Sequence, residues 1–169
     1  MSWLDTGLPP NDIFLRLGSA TLAGALLGIN RDLRGKPAGV RTHALVTLSS
    51  AVAMVVIGEV GLAAGVEAVD GTSRVIQGLV TGIGFLGAGL ILHAQGEVRG
   101  LTSAATIWIA AVLGVAYGSG HYTAATAGLA LALIVLVFGG GLETLAHRWL
   151  RSSSEGPPGR GTGSHRTSE

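Results

Sequence analysis

The sequence predicts an all-α membrane protein, a bundle of five transmembrane helices. Of its 169 residues, 48% are hydrophobic and only 12% are charged, and the mean hydropathy is +0.54. This composition is typical of membrane proteins rather than soluble domains. The chain also contains 28 glycines, which suit helices whose backbones touch within a bilayer. The predicted helices cover about residues 13–29, 42–58, 75–93, 102–117 and 122–143.

The first two helices are predicted from nearly uncharged runs. Residues 1–12 form a short polar N-terminus, and the first helix then carries a single charge, Arg16, near enough to its start to reach the membrane interface. Ala20, Gly24 and Gly28 recur every four residues, which predicts a packing face on this helix. The second helix has no charge and is of minimal length for a crossing.

The stretch DGTSRVIQGLVTGIGFLGAGLIL, residues 70–92, predicts the third helix, and we expect the other helices to pack on it. It has no charge from Val75 to Gly96 and is long enough to cross a hydrocarbon core of ~30 Å. In water so much glycine would weaken a helix, whereas in lipid it lets backbones approach. The glycines expected to mediate helix packing are Gly78, Gly82, Gly84, Gly87 and Gly89.

The last two helices come from one uncharged run, residues 100–142, which is too long for a single crossing. The sequence YGSGHY at residues 117–122 predicts a break, since its glycines turn the chain and its tyrosines suit an interface. The fourth helix carries a row of small residues, Thr102, Thr106, Ala110, Gly114 and Gly118, and the fifth carries Ala124, Gly128 and Ala132. The transmembrane domain is thus expected over residues 13–148, with a disordered cytoplasmic tail over residues 149–169.

Lysine and arginine are unequally divided between the two sides of the predicted bundle. One side holds Arg31, Arg34, Lys36, Arg41, Arg99, Arg148 and Arg151, and the other holds only Arg16 and Arg74. Positive residues favour the cytoplasmic side of a membrane protein. The distribution predicts an N-terminus outside and a C-terminus in the cytoplasm.

Several classes of function lack their sequence signatures. There are no cysteines, which excludes disulfides, thiolate catalysis and cysteine metal sites. GIGFLG at residues 82–87 matches GxGxxG, but it lies inside an apolar span and no acidic residue stands at the spacing that a dinucleotide site requires. No basic run is interleaved with aromatic residues as in nucleic-acid binding. We therefore expect a protein without enzyme activity, cofactor, bound metal or nucleic-acid partner.

The basic segment between the first two helices, NRDLRGKPAGVR at residues 30–41, is the main candidate for a functional site. Gly35, Pro37 and Gly39 predict a turn of fixed shape rather than a helix. A preordered basic pocket would bind an acidic partner, a phosphate or a lipid head group, and the alternative is simple anchoring on the cytoplasmic side. The candidate residues are Asn30, Arg31, Asp32, Arg34, Lys36, Pro37, Arg41, Thr42 and His43.

A polar site near the third helix is the second candidate. Arg74 and Gln77 would form a polar site under the outer surface, and the alternative is an ion pair between Arg74 and Asp70 one turn earlier. Trp108 would either pack in the core or plug a polar cavity. The candidate residues are Asp70, Arg74, Gln77, Thr81, Thr102 and Trp108. Because the ten acidic residues all lie at helix ends, in loops or in the tail, the sequence argues against a Mg²⁺ site at the bilayer midplane.

Several motifs, in order along residues 13–145, resemble the MgtC/SapB family of membrane proteins. NRDLRGKPAGVRTHALV resembles its first signature, and the glycine-rich third helix, VRGLTSAATIWIAA and GVAYGSGHYTAA resemble the rest. The matching positions are Arg31, Gly35, Pro37, Gly39, Arg41, Thr42 and His43, then Asp70, Arg74, Gln77, Gly82, Gly84, Phe85, Gly87 and Gly89, then Gly100, Leu101, Thr102, Ala104, Ala105 and Trp108.

The resemblance implies a multi-pass protein of the bacterial inner membrane, linked to growth at low Mg²⁺ and to virulence-associated survival inside host cells. It implies regulation of other membrane proteins, including an F-type ATP synthase. The alternatives are transport of Mg²⁺ or another ion and a structural role in a membrane complex. The small-residue faces predict a homo-oligomer within the lipid bilayer. Two departures from the family are Asn30, where Glu is usual, and the expected lack of a C-terminal ACT-like domain.

Overall fold

Five long helices make up most of the computed structural model, which describes residues 7–64, 69–94 and 97–154. The helices are α1 (Pro10–Leu33), α2 (Val40–Ala64), α3 (Val69–Leu90), α4 (Leu101–Gly118) and α5 (Tyr122–Ser154). All five are long and apolar enough to cross a membrane. This confirms the all-α class and the number of spans. Most of the helices extend past their predicted bounds, because backbone hydrogen bonding continues into the polar residues that flank an apolar span.

A short β-hairpin joins α3 to α4 where the sequence predicted only a loop. Strands β1 (Leu92–Ala94) and β2 (Glu97–Arg99) pair antiparallel, with Leu92 opposite Arg99. The third helix is therefore shorter at this end than the predicted bound at residue 93. Gly100 follows the hairpin with φ +93°, and an added Cβ there would collide with the Leu90 carbonyl, so only glycine fits this close approach.

The buried core lies where α2 packs between α1 and α4. On α1, a Cβ added at Gly28 would overlap the backbone of Val40, and on α4, Cβ atoms added at Gly114 and Gly118 would overlap the backbone of α2. Small residues thus bring these three helices into direct backbone contact. The packing face predicted on α1 is confirmed, and so is that on α4 except for Thr102, which is exposed.

Helix α3 is peripheral, not central as predicted. Only 6% of its spanning segment is buried, against 50% for α4. Gly87 alone of its five packing candidates approaches another helix, with an added Cβ 3.6 Å from the Ala104 Cβ. The glycines at which an added Cβ would meet nothing within 4 Å are Gly78, Gly82, Gly84 and Gly89. Among the described residues these four do not pack helices, because the apolar side of α3 and not its glycine side faces α4.

Arg16 connects α1 to α4 at the end of the bundle where α1 begins. Its guanidinium forms an ion pair with Asp12 at 2.8 Å and donates to the Gly118 carbonyl at 2.9 Å. It therefore caps the C-terminus of α4 instead of only reaching toward the interface. The following turn contains Gly120 at φ +79° and leads into α5.

Helix α5 runs further than the sequence predicted. It continues to Ser154, so residues 149–154 of the predicted disordered tail are helical. Residues 155–169, the remainder of that tail, lie outside the described residues.

Candidate functional site

The predicted basic loop is shorter than expected because α1 extends through its first four residues. The turn closes with a paired hydrogen-bond motif, in which Lys36 N–H donates to the Arg31 carbonyl and Gly35 N–H to the Asp32 carbonyl, both at 3.0 Å. Gly35 has φ +59°, the left-handed conformation that this helix ending requires. The interpretation of residues 30–33 as part of a turn is therefore wrong, and the turn itself covers residues 34–39. We call this end of the bundle, residues 30–43 together with the start of α4, the basic end.

Asp32 fixes the geometry between α1 and α2. Its Oδ2 accepts a hydrogen bond of 3.0 Å from the Val40 backbone N–H, the first residue of α2. A carboxylate at a helix N-terminus also interacts favourably with the helix dipole. An added Cβ at Gly39 would overlap this carboxylate. Asp32 and Gly39 thus form one local unit that sets the shape of the turn.

Replacing Asp32 by alanine should lower the free energy of unfolding by about 0.5–2 kcal/mol, the usual cost of losing an N-cap acceptor. Asp32→Asn is the matched control, since its amide oxygen still accepts from Val40. Thermal unfolding of the purified protein in detergent measures the difference. Equal losses in both variants would show that the carboxylate charge, and not the hydrogen bond, holds the turn.

Arg31 points into the bundle and not into the turn. It is only 3% exposed, and its Nη2 donates to the hydroxyl of Ser103 on α4. Among the described residues its Nε–H has no partner and no carboxylate lies within ion-pair distance of its guanidinium. A buried guanidinium without a counter-charge is costly. Arg31 joins α1 to α4, and in a membrane such a charge is by default a candidate for function.

His43 and Asn30 add two more polar atoms without partners to the basic end. His43 is 0% exposed, and its Nδ1 lies 3.0 Å from the Gly39 carbonyl. A carbonyl oxygen only accepts, so Nδ1 carries the hydrogen and the neutral ring presents a lone pair at Nε2. That Nε2 and the Asn30 Oδ1 are buried and have no partner among the described residues. Internal water commonly satisfies such atoms.

The exposed cations of the basic end are Arg34, Lys36 and Arg41, whose side chains face away from the core. Arg34 also donates to the Val137 carbonyl of α5 at 2.9 Å, so it is partly engaged. Pro37 and Thr42 are exposed beside them. The predicted site therefore divides into a buried group around Arg31 and His43 and an exposed cationic surface on a rigid turn.

The structure does not bring the second predicted site together. Asp70, Arg74, Gln77 and Thr81 are exposed on α3. Thr102 lies at the start of α4, close to the other end of α3, which at 1.5 Å per residue is roughly 30 Å from Asp70 and roughly 14 Å from Thr81 along the helix. Among the described residues no ion pair joins Arg74 to Asp70, so the ion-pair alternative is wrong within the chain.

Trp108 borders an apolar groove between α3 and α4. The groove has a volume of about 60 Å³ and is lined by apolar residues, which include Ile76, Leu79, Ile83 and Val112. The Trp108 side chain is 47% exposed. It therefore neither packs fully in the core nor plugs a polar cavity.

Sequence reasoning missed Ser103, the partner of Arg31, and chose its exposed neighbour Thr102 instead. Ser103 is 1% exposed, and Thr106, also buried, donates to its carbonyl at 2.8 Å. Helical periodicity places Ser103 on the same face as Ala110 and Gly114. The small-residue row that predicts the buried face of α4 therefore also identifies Ser103.

Comparison with known proteins identifies the family. The MgtC family profile matches residues 17–145. The chain is 40% identical to protein SrpB of Synechococcus elongatus over 159 residues, 88% of this chain and 86% of SrpB.

Two enterobacterial relatives are longer than this chain. The putative magnesium transporter YhiD of Escherichia coli is 40% identical over 129 residues, 74% of this chain and 59% of YhiD. Protein MgtC of Salmonella typhimurium is 41% identical over 122 residues, 72% of this chain and 48% of MgtC. The aligned part thus spans about half the length of these two proteins, and no solved structure is significantly similar to the chain. With its five apolar helices, the chain is a multi-pass bacterial membrane protein that belongs to the MgtC family.

Proposed function

We propose that the chain is a non-enzymatic protein of the bacterial inner membrane that adapts cells to low Mg²⁺ or intracellular stress by binding and regulating other membrane proteins. The cationic surface of Arg34, Lys36 and Arg41 carries the proposal. This surface lies on a turn that is held by the hydrogen bond from the Val40 N–H to Asp32 and by the two backbone hydrogen bonds that end α1. All three bonds are 3.0 Å long. Anchoring alone would not require such rigidity, whereas recognition of an anionic partner gains affinity from a preordered surface.

The charge arrangement supports regulation over cation transport. The acidic side chains that the structure describes, Asp12, Asp32, Glu59 and Asp70, lie near helix ends. Mg²⁺ transport needs oxygen ligands near the bilayer midplane. At the basic end of the bundle, the buried cation Arg31 lies between α1 and α4, where it would repel a divalent ion. Binding partners in the proposal are a second copy of the chain and another membrane protein such as an ATP synthase.

Neutralising the exposed cations should abolish the proposed function without unfolding the protein. In a strain that lacks the chain, wild type should restore growth at low Mg²⁺, and the double variant Lys36→Ala/Arg41→Ala should not. Each cation near an anionic surface contributes about 1 kcal/mol, so losing two weakens binding by roughly 30-fold. The matched control Lys36→Arg/Arg41→Lys keeps both charges and should restore growth.

Transport is tested separately with proteoliposomes that contain only this chain. The proposal expects no more Mg²⁺ entry than into empty vesicles. Saturable Mg²⁺ entry that Asp32→Ala or Gln77→Ala abolishes would overturn it in favour of a transporter. If Lys36→Ala/Arg41→Ala and Lys36→Arg/Arg41→Lys restore growth equally, the cationic surface does not contribute to the function.

A further inference from the structure

Helix α3 has two unlike faces, and the polar one points away from the protein. Its apolar side, with Ile76, Leu79 and Ile83, lines the groove against α4. The opposite side carries Arg74, Gln77 and Thr81, all exposed. At 100° per residue these three fall within one sector of the helix, together with Asp70, Gly78, Phe85 and Gly89. We call this sector the α3 polar face.

Lipid is a poor neighbour for the α3 polar face. The Gln77 side chain makes no hydrogen bond and Arg74 and Asp70 make no ion pair within the described part of the chain. Hydrocarbon cannot satisfy the Gln77 amide, which lies about two turns inside α3, whereas Asp70 and Arg74 lie nearer the end of the helix. At Gly78 and Gly82 an added Cβ would meet no atom within 4 Å, so the backbone is open to close approach by another helix.

We propose that a second copy of the chain covers the α3 polar face, across a two-fold axis parallel to the bilayer normal. All copies insert in the same direction, so two α3 helices related in this way run parallel. A two-fold contact brings a surface against itself. Gln77 fits this requirement, because an amide both donates and accepts hydrogen bonds and pairs with its own counterpart.

The charges of the face are complementary in the same arrangement. Asp70 and Arg74 lie one turn apart on the face and are not paired with each other. The axial offset of four residues is about 6 Å, which the long arginine side chain spans. Asp70 therefore reaches Arg74 of the partner subunit and Arg74 reaches the partner's Asp70. The inference rests on the proposed self-association and on no regulatory role.

Cysteine cross-linking in membranes tests the interface directly, because the chain has no cysteine of its own. Gly78→Cys and Thr81→Cys should form disulfide-linked dimers under mild oxidation, since a disulfide needs Cα atoms within about 7 Å. Gly18→Cys on α1, where an added Cβ also meets nothing within 4 Å, and Ala130→Cys on α5 are the matched controls. Both controls should stay monomeric on denaturing gels.

Association in detergent gives a second measure. Gln77→Leu should weaken dimer formation about three- to tenfold, and Asp70→Arg should weaken it further. The swap Asp70→Arg/Arg74→Asp should restore it. A monomeric protein would overturn both self-association and this interface. Dimers that cross-link through Gly18→Cys or Ala130→Cys but not through α3 would overturn the interface and leave self-association standing, and adducts with a different membrane protein at α3 would assign the face to that partner.

Discussion

Replacing Gly28 by leucine should prevent stable packing of α1 on α2. The Gly28 Cα faces the backbone of Val40 so closely that even a Cβ would overlap it. A backbone cannot rotate aside as a side chain does, so the helices must separate. Extra atoms in a packed core cost about 1–3 kcal/mol and occasionally more, and we expect the upper part of that range. Yield of monodisperse protein and its unfolding temperature in detergent measure the effect.

The matched control is Gly18→Leu on the same helix. An added Cβ at Gly18 meets no atom within 4 Å, so this variant gains the same side chain and the same helix propensity without a clash. It should keep, or slightly raise, the stability of wild type. Gly28→Ala should fall between the two leucine variants. Equal stability of Gly28→Leu and Gly18→Leu would contradict the close contact between α1 and α2.

The sequence predicted the number of helices and the contact faces of α1 and α4, but not which helix is central. Length and uncharged runs decide how often a chain crosses a bilayer, and small residues at every fourth position mark a close contact. The same pattern does not say what makes the contact. Gly24 and Gly28 meet α2 of the same chain, whereas a Cβ added at Gly78 or Gly82 meets no atom within 4 Å in the described part of the chain. The glycine-rich α3 was therefore misplaced at the centre.

At the candidate site, the sequence predicted the turn between α1 and α2 but not the burial of Arg31 and His43. The basic segment, its turn glycines and His43 follow from residue types along the chain. Burial follows from which side of a helix faces a neighbour, and α1 was expected to end before Arg31. Once the helix continues to Leu33, Arg31 falls on the row of Gly24 and Gly28, the face that is buried. The glycine that ends α1, Gly35, is the signal from which the longer helix could have been predicted.

Replacing Arg31 by methionine should stabilise the isolated protein, although Arg31 lies at the contact of α1 and α4. The guanidinium is 3% exposed and is held by Ser103 without a carboxylate among the described residues. Replacing buried charges by apolar residues of similar volume is often neutral or stabilises a protein by about 1–4 kcal/mol. Ser103→Ala should act in the opposite direction by about 1–3 kcal/mol, because it leaves the buried charge without its hydroxyl.

The double variant Arg31→Met/Ser103→Ala separates this explanation from a general packing effect. If Ser103 matters because it solvates Arg31, the cost of Ser103→Ala should largely disappear once methionine replaces the arginine, which gives a coupling free energy well above the ~0.5 kcal/mol seen for independent sites. Additive effects would mean that Ser103 acts through packing alone. If Arg31 lowers the stability of the bundle, we propose that it serves the binding surface formed by the exposed cations of the basic end. On the proposed function, growth at low Mg²⁺ should then fail in Arg31→Met even though this variant is the more stable protein.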